Sequence, residues 1–175
     1  IDSIGNLTVG LIDAAAGAVT LDSTGDIDSA ADDGTADVTG GVVSLIAAAG
    51  GIGQTAPLDV TASTTLSADT DAGDDAAISI DSIGNLTVAV IDAAAGAVTL
   101  DSTGDIDGGT DDATADVTGG LVSLVAAAGG IGQNTVLDVA AATSLSADTD
   151  AGDDAAISID SIGNLTVNLI AAGAG

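Results

Sequence analysis

The sequence predicts an all-β fold, a right-handed parallel β-helix (β-solenoid) with three to four coils in each 79-residue repeat. Three observations point there. The stretch IDSIGNLTV at Ile1 returns at Ile80 and again at Ile159, and a fixed long period marks an array whose units bury their apolar sides against one another. Between these returns, aliphatic and polar residues alternate in short runs broken by Gly, Asp, Asn, Ser and Thr, the period of half-buried strands. Hydrophobic residues make up 46% of the chain without one Phe, Trp, Tyr, Met or Cys. Small aliphatics of similar size fill a repeating column, whereas a tapering globular core needs larger rings at its centre.

The repeats run 1–79 and 80–158, with a partial third at 159–175, and together form one solenoid segment. Over the first repeat and into the start of the second, strands are expected at Ala18–Asp22, Gly25–Asp28, Val42–Ile46, Leu58–Val60, Leu66–Asp69, Ala77–Asp81 and Asn85–Val88. Alternation turns Val19 and Leu21 inward and Thr20 and Asp22 outward. Strands this short are stable only when stacked, and Gly-rich corners let the backbone turn between them. The Ala-rich pieces at Ala14 and Ile46 invite a helix, since Ala has the best helix propensity. They are short, closed by Gly and without a 3.6-residue repeat, so corners of a coil fit them better. Three coils of three strands or four coils of about 20 residues both fit one repeat. Right-handed winding is what crossover sterics favour for parallel strands.

Charge narrows the function. All 27 acidic residues are Asp, and Lys, Arg and His are absent. No side-chain ion pair can form, and nothing is present to neutralise phosphates, which argues against nucleic-acid binding and against attraction to anionic lipid. Apolar runs are broken by Asp or Gly well before about 20 residues, so membrane insertion as a helix is not expected. Without His, Cys, Lys, Arg or Tyr, the chain is not expected to be an enzyme. A pair of carboxylates could in principle serve an inverting glycosidase, but sugar sites also rely on aromatic platforms. The sequence starts and stops inside a repeat, which reads as a segment of something longer.

The densest polar cluster is DTDAGDD, carrying Asp69, Asp71, Asp74 and Asp75, repeated as Asp148, Asp150, Asp153 and Asp154. Clustered carboxylates beside a Gly suit a hard cation such as Ca2+, which takes six to eight oxygens; a solvated acidic turn is the plainer alternative. A second candidate is Asp26 with Asp28, and Asp105 with Asp107, sharing a cation with Asp22 across a corner. Outward Asp on a strand is the plainer alternative there, and such charges also discourage edge pairing. All Asp of the first repeat recur in the second. Asn6, Asn85 and Asn164, each before LTV, fit either an inward amide ladder or a turn at strand entry.

The phrases VSLIAAAGGIGQTAPLDV (Val43–Val60) and AVTLDSTGDID (Ala18–Asp28) resemble the repeats of filamentous-haemagglutinin-type adhesins and related giant bacterial surface proteins. The resemblance covers essentially the whole chain, which departs from that family in lacking basic and aromatic residues. It implies an extracellular, cell-surface location and an adhesive or filament-forming role. The expected function is therefore a stiff stalk, filament or adhesin shaft, stabilised by Ca2+. Its partners would be further copies of the same repeat in a longer chain and neighbouring rods joined through divalent cations. A calcium-dependent module recognising a cell-surface ligand is the alternative, and a designed solenoid without function of its own is a third.

Overall fold

The computed structural model describes residues 1–71, 75–150 and 155–173. It is a parallel β-solenoid. Every strand pairing among the described residues is parallel, and these residues contain no helix. Among the described residues, no helix is long and apolar enough to cross a membrane. The Ala-rich pieces at Ala14 and Ala48 are turns, and the first places Ala15 at a φ of 51°.

The alternation read from the sequence is what builds the core. In Val19–Ser23, Val19, Leu21 and Ser23 are buried while Thr20 and Asp22 are exposed. Aliphatic residues then stack from coil to coil. Leu21 lies beside Leu45, followed by Ala68 and Ile91. A second column runs Leu58, Ile80, Leu100, Leu124. Each fully buried Leu or Ile in such a column contributes about 1.5–3 kcal/mol of apolar burial.

Two strands are much longer than the short runs suggest: Val38–Ala47 spans 10 residues and Leu58–Thr70 spans 13. The chain stays extended through Gly40-Gly41, with a register shift between Gly40 and Val42. A bulge of this kind bends a strand without ending it. Gly41 is needed there because a Cβ would run into the carbonyl oxygen of Ala16.

The number of coils per repeat falls within the expected three to four, between the two whole numbers. One ladder passes Ile12, Val38, Val60, Ser82, Ser102, Ala126, Thr149 and Ala172. Seven steps cover these 160 residues, so a repeat of 79 makes about three and a half turns. Equivalent residues therefore fall on different columns: Leu21 belongs to the column that continues to Ile91, Leu100 to the one that began at Leu58. Successive repeats are turned by half a revolution about the rod axis. They are not stacked face upon like face, as a whole number of coils would require.

Candidate functional site

The two acidic turns singled out in the sequence have different surroundings. Asp69 is exposed, pairs in register with Asp92 on the next coil, and shares with Asp71, Asp92, Ile46 and Ala48 an open depression of about 340 Å³. Burial, then Asp92 and Asp71, push the Asp69 carboxyl above its ordinary range. Asp75 accepts a hydrogen bond from the Ala95 amide at 3.3 Å. In the second repeat Asp148 and Asp150 line a depression of about 500 Å³, where Ala171 stands in the place of Asp92. Asp74, Asp153 and Asp154 lie outside the described residues. Among the described residues, no three carboxylates converge closely enough to hold a metal ion between them.

Asp26, Asp28, Asp105 and Asp107 serve the backbone. Asp26 Oδ1 accepts from the Gly51 amide at 3.0 Å, and its Oδ2 accepts from Asn6 Nδ2 at 2.6 Å. Asp28 accepts from the Thr55 amide at 3.1 Å. In the second repeat Asp105 accepts from Gly130, and Asp107 from both the amide and side chain of Asn134. Each carboxylate thus ties the turn of the following coil to its own, satisfying donors that the turn would leave unpaired. Asn6 and Asn85 do the same for the amides of Asp26 and Asp105, at 3.2 Å each. They are exposed turn residues and form no inward ladder.

Sequence reading missed the most unusual carboxylates. Asp59, Asp81 and Asp101 stand in register on three successive coils, at the coil spacing of about 4.8 Å. Burial is the first cause that pushes all three upward; for Asp81, Asp101, Asp59 and Asp32 add repulsion and bring it to about 6. Asp59 is itself only 2% exposed although it points away from the aliphatic core. The loop between Ile27–Ser29 and Val38–Ala47, carrying Asp32 and Asp33, accounts for this: both residues lie within electrostatic reach of Asp59. At its base Asp37 and Asp59 are cross-linked through the backbone. The Asp37 amide donates to the Asp59 carbonyl at 2.8 Å, and the Asp59 amide donates to Asp37 Oδ2 at 3.1 Å. Asp116 and Asp138 repeat both bonds, at 2.8 and 3.0 Å. The loop tip is an Asx-type turn, in which Asp33 accepts from the hydroxyl and amide of Thr35, holding its carboxyl below the ordinary range.

This column fixes the sign of a pH effect. A carboxyl raised in the folded chain from an ordinary value of 3.8 to about 6 binds its proton more tightly there than when unfolded. Its stabilising contribution is full below about pH 4 and lost as pH rises through about 6. Chelator-treated protein is expected to melt a few degrees higher near pH 4.5 than near pH 7.5. The largest single share, from Asp81, is about 1 kcal/mol after discounting for solvent screening. Circular-dichroism melts across this range check it, and a melting temperature that rises with pH would contradict it.

No family model matches the sequence, and neither a curated protein nor a solved structure matches it.

Proposed function

We propose that the chain is a length of shaft from an extracellular, cell-surface repeat protein, a stiff stalk or filament stabilised by divalent cations. The observation that carries this reading is the junction between repeats. Leu58–Thr70 of the first pairs with Ile78–Ser82 and Leu86–Asp92, which lead into the second, and the aliphatic columns pass through without a seam. An array joined in this way has no hinge, so repeats add along one axis. A surface whose ionisable side chains are all carboxylates keeps neighbouring rods apart until divalent cations bridge them.

The test is the length of arrays with one, two and four repeats, measured by small-angle X-ray scattering and electron microscopy. The expected increment is about 17 Å per repeat at constant cross-section, from three and a half coils at about 4.8 Å. Arrays that bend or collapse at each junction would refute the shaft. The depression holding Asp69, Asp71 and Asp92 beside Ile46 supports a second reading, a calcium-dependent module gripping a surface ligand. A glycan array probed with and without calcium separates the two, because a shaft gives no calcium-dependent signal.

A further inference from the structure

Two pairs of carboxylates are covered without a counter-charge. Asp37 and Asp59 are 4% and 2% exposed, Asp116 and Asp138 4% and 1%. Oδ2 of Asp59 receives no hydrogen bond, and neither side-chain oxygen of Asp138 receives one. Asp37 and Asp116 each accept the amide of the other member of the pair, and the Gly34 and Gly109 amides reach Asp59 and Asp116. The orphaned oxygens of Asp59 and Asp138 nevertheless remain destabilising when ionised, and this chain has no basic side chain to relieve them. The arrangement is nonetheless built twice, with the same backbone bonds. A loop bearing two more carboxylates lies beside each pair: Gly34, Asp32 and Asp33 act on Asp59, and Gly109 and Asp112 on Asp116.

We propose that each covered pair, Asp37 with Asp59 and Asp116 with Asp138, binds one calcium ion, closed off by the acidic loop beside it. Two carboxylates balance the charge of one divalent ion. Donors here are oxygen only, which selects hard cations over zinc or copper. Calcium accepts six to eight oxygens in irregular geometry, so two carboxylates can be completed by backbone carbonyls and water. Magnesium, needing a near-ideal octahedron and holding its own water, fits such a loop poorly. The proposal rests on no part of the shaft reading and concerns carboxylates other than those of the DTDAGDD turns.

Calorimetric titration of the 175-residue chain with calcium chloride at neutral pH and constant ionic strength tests it, together with melts in calcium, magnesium and EDTA. Two ions per chain are expected, with a melting temperature raised by roughly 10 °C at calcium a hundredfold above Kd, and a smaller rise in magnesium. Asp138→Asn should leave one ion per chain, and Asp59→Asn with Asp138→Asn none. The double variant loses two buried charges and should melt higher than the parent in EDTA, which shows that it folds. Asp71→Asn with Asp150→Asn should still bind two. Absence of calcium uptake, uptake that survives in the Asp59→Asn, Asp138→Asn chain, or a melt that responds to acid but not to calcium would each overturn the proposal, the last by showing that protons alone neutralise the pairs.

Discussion

Replacing Leu100 by Ala is expected to destabilise the chain by about 3 kcal/mol, seen as a lower urea midpoint in far-ultraviolet circular dichroism. Leu100 is fully buried, with Ile80 on the coil to one side and Leu124 on the other. Backbone ladders on both sides hold the coil spacing, so the walls have little freedom to close on the space left behind. Because each coil contacts only its neighbours, the cost depends on place along the rod. Leu169, on Val167–Ala172 and 45% exposed, touches a coil on one side only among the described residues. Leu169→Ala is expected to cost less than about 0.5 kcal/mol. Equal losses at the two sites would mean that the columns do not carry the stability.

Gly53→Ala and Gly132→Ala should be comparably damaging, at about 3 kcal/mol each. Their φ values are +66° and +68°, and a Cβ at either would overlap the carbonyl oxygen of Ser79 or Ser158 on the next coil. In the second repeat that same carbonyl accepts the Leu137 amide. The left-handed conformation alone costs an L-residue about 1–2 kcal/mol, and the chain tolerates it at Ala15, Ala94 and Ala113. The remainder comes from pushing one coil off the next and weakening a buried hydrogen bond. Gly84 separates the two contributions, since its φ is +96° and nothing lies within 4 Å of a Cβ there. Gly84→Ala is expected to show the conformational cost alone, and chemical denaturation of the three variants side by side checks the difference.

The strand alternation was legible because it depends only on neighbours in sequence: Val19, Leu21, Leu45 and Leu66 are buried where period-two reading puts them. The half-turn between repeats was not. Coil lengths along one ladder vary between 20 residues, from Ser82 to Ser102, and 26, from Ile12 to Val38, so no single period besides 79 appears in the sequence. The length of Val38–Ala47 was hidden for a related reason: a glycine pair such as Gly40-Gly41 marks either a corner or a bulge, and only the strand beside it decides which. Asp59 reads as an outward residue of Leu58–Val60, which it is. What buries it is a loop more than 20 positions earlier, and the sequence signal was the long spacing between Ile27 and Val38. The clustered carboxylates of DTDAGDD drew attention by density, whereas the unpartnered ones were spread over adjacent coils and met only on folding.

A rod whose units advance by a half-integral number of windings carries the same emblem alternately on its left and right flanks. The loop around Asp33 and its counterpart around Asp112 therefore point in opposite directions, and a given flank shows one only after two units, a spacing of about 34 Å. Filaments tied through these loops would be joined on two sides and spread as a planar raft, where units added by whole windings would make paired fibres with one bare edge.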